Sequence, residues 1–217
     1  MNPNISRMKT FLIVFFISLT ALYGQGYEQA KNLLDRVSEN MTSKESIRFD
    51  FNYVLENKKE QIRQEMEGNV TLAGDRYQLL FLDAIQMFDG NKIYTIVPEN
   101  EEITVSLPED EDDISVNPTQ LLTFYDNGYA YEWDIQQRVM GKTIQFIKLL
   151  PNEVSEEVKY LLLGIDINRL EVYRLIEVGN NGTLTTLTLS QTEYNMSLPE
   201  GYFDFNPDKY PNYYIND

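Results

Sequence analysis

"IRFDFNYVL", residues Ile47 to Leu55, is where the periodicity of the chain changes. Ile47, Phe49, Phe51, Tyr53 and Leu55 fall on one side of an extended backbone, with Arg48, Asp50 and Asn52 on the other. That alternation belongs to a strand with one oily and one wetted face. Just upstream, "YEQAKNLLDRVSENM" (Tyr27 to Met41) repeats its apolar residues at steps of three and four: Ala30, Leu33, Leu34, Val37 and Met41. This spacing predicts one long helix with a single apolar stripe. Downstream the period of two persists. "MEGNVTL" follows a charged tip at Glu56 to Gln61 and repeats the pattern with Met66, Val70 and Leu72. "RYQLLFL", "AIQMFDGNKIYTIV" with its turn at Asp89-Gly90-Asn91, and "EEITVSL" come next, and "YAYEWDI", "GKTIQFIKLL", "VKYLLLGIDI", "LEVYRLIEV" and "TLTTLTLSQTEYN" continue the meander, with "GYFDF" as the last element. "GNNG" (Gly179 to Gly182) is a strong hairpin signal. About ten or eleven short strands with no βαβ alternation place the chain among antiparallel barrels and strongly curved sheets.

Two features do not fit a sheet wetted on one side. In "RYQLLFL", Tyr77, Leu79 and Phe81 face one way while Leu80 and Leu82 face the other, and "YLLLGIDI" is similarly two-faced. Such strands need apolar cover on both sides: an enclosed core, a helix at the edge, or an apolar hollow on the concave side. An ordinary packed core explains the pattern as well as a cavity does. The second feature is "NPTQLLTFYDNGY", Asn117 to Tyr129. Asn117 suits an N-cap and Pro118 the first helical position; Leu121, Leu122, Phe124 and Tyr125 form an apolar face, and Asp126-Asn127-Gly128 stops the helix. A helix this short is marginal alone and needs a surface to lean on. It is either a permanent plug or a removable cover.

Composition removes whole classes of function. The 217 residues suffice for one domain with a real core. Lys and Arg number 18 against 34 Asp and Glu, a net charge of −16, so the electrostatic footprint of a nucleic-acid or anionic-headgroup binder is missing. With no Cys and no His, zinc sites of the common types, thiol nucleophiles, disulfides and imidazole-based triads are excluded, and no bacterial lipobox is present. A glycosidase can run on two carboxylates, but no pair is singled out by its context, so neither an enzyme nor a cofactor is expected. "PEDEDD" (Pro108 to Asp113) lacks the spacing and central Gly of a calcium loop and reads as a solvated connection, so no metal is expected. At the N-terminus, Arg7 and Lys9 precede "FLIVFFISLTAL" (Phe11 to Leu22), an apolar run shorter than the roughly 20 residues of a membrane span. Residues 1–24 are therefore expected to be a cleaved signal peptide, with an uncleaved anchor as the alternative and Met8 as a possible start, leaving residues 25–217 as one β-barrel domain with a charge of −18.

The order of these parts resembles the periplasmic outer-membrane lipoprotein carriers, the LolA-like family. The likeness covers the helix, the Phe-rich strand "SIRFDFNYVL", "EGNVTLAGDRYQLLF" and the hairpin "DGNKIYTIVPENEEITVSL". It continues through the short apolar helix after a proline, the hairpin "IEVGNNGTLT" and the terminal "YFDFNPDKYP". The resemblance implies a fold that is mainly β with helices: an incomplete, unclosed antiparallel β-barrel of eleven strands with an α-helical lid over an apolar cavity. It implies a monomeric periplasmic chaperone whose partners are acylated lipoproteins, an inner-membrane ABC lipoprotein exporter that loads it, and an outer-membrane acceptor. The inward faces of the first and third strands then supply Phe49, Phe51, Leu79 and Phe81 to the acyl chains, and the lid supplies Leu121, Leu122, Phe124 and Tyr125. The family's lid-tethering arginine is matched best by Arg76, although Tyr77 rather than proline follows it; Arg63 is the alternative.

Two other readings stay open on sequence. One is a lipid or hydrophobic-ligand sensor of the same architecture. The other is a secreted glycan- or protein-binding β-domain that uses some of the 15 tyrosines as stacking surfaces.

Overall fold

The computed structural model describes residues 26–108, 118, 125 and 128–216. One α-helix, α1 (residues 26–42), precedes the strands. The first half of the sheet is β1 (Ile47–Asn57), β2 (Ile62–Ala73), β3 (Arg76–Phe81), β4 (Ala84–Phe88), β5 (Ile93–Val97) and β6 (Glu102–Ser106). The second half is β7 (Tyr129–Val139), β8 (Lys142–Pro151), β9 (Val158–Asp166), β10 (Glu171–Gly179) and β11 (Leu184–Tyr194), and β12 (Tyr214–Asn216) ends the chain.

All twelve strands belong to one unclosed sheet in the order β12-β6-β5-β4-β3-β2-β1-β11-β10-β9-β8-β7. Each half is a meander of hairpins, and the halves join where β1 pairs antiparallel with β11, Phe51 opposite Leu189 and Tyr53 opposite Leu187. The unclosed antiparallel sheet expected from the sequence is thus present, with one addition. β12 lies parallel to β6, with Ile215 opposite Ile103, so the sheet is mixed.

The period-two reading of "IRFDFNYVL" holds in three dimensions. Ile47, Phe49 and Phe51 are buried on the concave face. They meet the helical stripe, for Ala30, Leu33, Leu34, Val37 and Met41 are all at most 5% exposed. α1 therefore lies across the concave side, and each large side chain of its stripe contributes about 1.5–3 kcal/mol by leaving water. Its ends are tied down. Tyr27 stacks on Tyr131 of β7 at 5.5 Å between ring centroids. At the other end the Asn40 side-chain amide donates to the carbonyls of Arg169 and Leu170, at 3.3 and 3.1 Å.

The convex face explains why several strands are apolar on both sides. Under β8–β10, Ile144, Phe146 and Tyr173 form a small buried cluster with Leu162 and Ile176. Phe146 lies against Gly164, where an added Cβ would sit 2.9 Å from its ring. Under β4–β6, Met87, Ile96 and Ile103 are covered by Phe205, Tyr210 and Tyr213 of the C-terminal segment. Here the sequence expectation needs correction: "GYFDF" is a turn and not a strand. Its Phe203 is 2% exposed and Phe205 stacks on Tyr94 at 4.5 Å, so these alternating aromatics serve as cover for the sheet rather than as part of it.

Candidate functional site

The concave face carries more apolar surface than α1 covers, and the remainder is a cavity of about 430 Å³. That volume is within the range of small-molecule and lipid sites. Strand alternation builds it: β1 contributes Phe51 and Tyr53, β2 Val70, β3 Leu79 and Phe81, β10 Leu175, and β11 Leu187. Phe81 is the hub of one wall, 5.4 Å from the Phe51 ring and 5.6 Å from that of Tyr53. Gly68 makes this possible. It pairs with both Phe51 and Phe81, and the Phe51 ring occupies the place a Cβ would take, with the Leu80 carbonyl oxygen 2.6 Å from the same point. A glycine inside a strand marks such a close approach.

The polar lining is sparse. The Tyr77 hydroxyl donates to Gln86 Oε1 at 3.0 Å, and Gln86 Nε2 donates to Thr95 Oγ1 at 3.5 Å, so the amide is engaged along the wall. Thr185 and Glu177 face each other across the β10–β11 ladder and complete the lining on that side. Burial pushes the Glu177 carboxyl above its ordinary range, and the neighbouring Glu157 carboxylate pushes the same way. Tyr129 is raised as well, by burial first and then by the Glu177 charge. A second depression, of about 620 Å³, opens on the other side of β1–β4 among Arg48, Asp50, Glu67 and Asp83. Its lining mixes these charged groups with apolar side chains such as Leu80, Leu82 and Ile85.

The predicted lid belongs to the connection between β6 and β7. β6 and β7 follow one another in sequence but stand toward opposite ends of the sheet. Of the described residues between Ser106 and Tyr129, Leu107, Pro108 and Gly128 are exposed, whereas Pro118 lines the cavity and Tyr125 is packed in the concave core with its carbonyl accepting the Tyr131 hydroxyl at 2.6 Å. Leu121, Leu122 and Phe124 lie outside the described residues, as do the acidic residues 109–113 and the expected signal segment 1–24.

Of the remaining sequence candidates, Phe51, Leu79 and Phe81 come together in the cavity wall. Phe49 is fully buried among the concave core residues and is not part of the lining. Arg76 stands on the convex side of β3, exposed, with its guanidinium 5.2 Å above the Phe203 ring. Arg63 is an exposed hairpin residue between Glu56 (3.0 Å) and Glu65 (2.8 Å). Sequence reasoning missed Leu175, Glu177, Thr185 and Leu187. In "LEVYRLIEV" the signal was present, because Glu177 holds the same alternating position as Leu175. Among the described residues no group of three Asp or Glu side chains is placed to hold a metal ion.

No protein-family model matches the chain, and no curated protein resembles it in sequence. Solved structures do resemble it in fold. An uncharacterized conserved protein from Thermus thermophilus superposes with a TM-score of 0.54 at 12% identity, covering 84% of this chain and 96% of that one. A LolA superfamily protein from Nitrosomonas europaea aligns more loosely, with a TM-score of 0.43 at 10% identity over 81% and 97%. The lipoprotein LppX of Mycobacterium tuberculosis does likewise, with 0.46 at 11% over 78% and 98%. The arrangement expected from the sequence, an unclosed sheet with a helix across its concave side, is the arrangement observed.

Proposed function

We propose that this protein is a periplasmic carrier that holds the acyl chains of lipoproteins in its concave cavity and moves them from the inner to the outer membrane. The observation that carries this reading is the apolar hollow between Phe51, Leu79, Phe81 and Leu187, with Pro118 of the β6–β7 connection in its lining. An acyl chain gains roughly 0.8 kcal/mol per buried methylene, so a free chain does not leave a membrane without a comparable apolar surface to enter. A wall of aromatic and aliphatic side chains supplies that surface, and a covering segment that exchanges its own contacts for those of the ligand keeps the binding reversible. An ABC exporter of the inner membrane loads the carrier and an outer-membrane acceptor unloads it. The excess of acidic residues, 34 against 18 basic, opposes lingering on anionic bilayers.

The test is retention of an acylated peptide. Purified protein should shift a dodecanoyl-peptide into its own gel-filtration peak. Leu175→Trp and Ala84→Leu, which fill the cavity from opposite walls, should each lower that retention at least about tenfold while the far-ultraviolet circular dichroism stays that of the parent. Retention unaffected by either substitution would place the acyl site elsewhere and remove the cavity from the proposal.

A further inference from the structure

A carboxyl side chain interrupts the apolar pattern of the concave face. Reading across the sheet in register, the row runs Leu55, Thr185, Glu177, Leu161, Leu149 and Tyr131. A carboxyl group therefore stands where the alternation calls for an apolar residue, at the next same-face position along β10 after the lining residue Leu175. Glu177 is also the one carboxyl or amine side chain among the described residues of the cavity lining. No Lys or Arg makes an ion pair with it among the described residues. The titratable groups facing it are Glu157, which adds negative charge, and Tyr129, whose phenol stays protonated. A site that departs from its own hydrophobic pattern without an internal partner has a vacancy for an external one.

We infer that Glu177 sets the head-group selectivity of the cavity, accepting amphiphiles whose polar end is a cation or an N–H donor and rejecting those that end in a carboxylate. The inference rests on the acyl-binding reading above and deepens it. A ligand chain lying along Phe81 and Leu187 brings its polar end to the Thr185–Glu177 side of the cavity. There an ammonium or an amide N–H forms a charge-assisted hydrogen bond with the carboxylate, whereas a carboxylate head meets a like charge at a half-buried group. The shared chemistry has two sources, the amide of an N-acylated peptide and the ammonium of an amine-bearing lipid.

Four probes with the same chain separate the possibilities in titrations followed by tyrosine and tryptophan fluorescence: dodecylammonium, a dodecanoyl-peptide amide, dodecanoate and dodecanol. At neutral pH the ammonium and the amide should each bind at least about tenfold more tightly than dodecanoate, with dodecanol between them. The stronger of the first two identifies the source. Glu177→Gln should erase the difference between ammonium and dodecanoate, and Glu177→Lys should reverse it. Glu28→Gln, an exposed change on α1, should leave it intact. Equal binding of dodecanoate and dodecylammonium by the parent, or a preference that survives Glu177→Gln, overturns the inference. If dodecanol binds in those cases, the acyl cavity stands and only the selectivity falls; if no probe binds, the carrier reading falls with it.

Discussion

A carboxyl among hydrocarbon side chains works against the fold that holds it. Glu177 gains nothing from a cationic neighbour, and burial together with Glu157 raises its proton affinity above the ordinary value of 4.5. The sign of the linkage follows. Below 4.5 the group carries its proton in both the folded and the unfolded chain and costs nothing. As pH rises through the ordinary value and then the higher folded one, the unfolded chain ionises first, and folding stability declines. Glu177→Gln should therefore raise the urea midpoint at about pH 7.5 and leave it nearly unchanged near pH 4. An increase of equal size at both pH values would show that the side chain is already comfortable as an anion. Glycine has the complementary role in the same wall. Gly68 contributes no surface, yet it sets where the Phe51 ring lies and hence where the lining begins. Gly68 does not stand out in the sequence, because a lone Gly usually marks a turn; Glu177 is marked only by sharing the alternating position of Leu175, since a lone Glu in a strand usually points to water.

At the scale of elements, the β3–β4 hairpin shows local geometry imposed by its surroundings. Phe81 pairs with Ala84, leaving Leu82 and Asp83 as the loop, both in the left-handed region with φ of 54° and 58°. That is the geometry of a type I′ turn, which favours Asn-Gly and strains a leucine. The joint change Leu82→Asn with Asp83→Gly should stabilise the protein by about 1–2 kcal/mol, read from the denaturation midpoint at unchanged slope. A loss of stability would mean that Leu82, 62% exposed, makes contacts worth more than the strain. Elements with a clean period were legible before any coordinates. The α1 stripe came out residue for residue, and the inward set of β1 followed from simple alternation. What was not legible depends on distant partners. β11, "LTTLTLSQTEY", alternates Thr with Leu, and only its register against β1 decides that Thr185 and Leu187 face the cavity. The "GYFDF" segment has strand-like composition, but its rings bind the convex face through Arg76 and Tyr94, a role set by tertiary contacts alone. Several of the tyrosines that suggested an outward stacking surface are engaged with rings of the chain itself, as in the Tyr27–Tyr131 and Phe205–Tyr210 stacks.

For the molecule as a whole, the order of strands matters more than their number. The first half of the chain and the second half are joined in the middle of the sheet by β1 and β11, and again at the rim by the return of β12 to β6. The covalent link between β6 and β7 is thus not what keeps the halves together. A single proteolytic cut within residues 109–117 should leave one particle that migrates as the intact protein in native gel filtration and parts into two fragments only in denaturant. Fragments that separate in native buffer would show that the bridging segment carries the assembly. Evolution is accordingly free to lengthen, shorten or rewrite residues 109–117 so long as Pro118 and Tyr125 keep their buried places. Related chains would then differ most in the length of this tether and least in the paired hull.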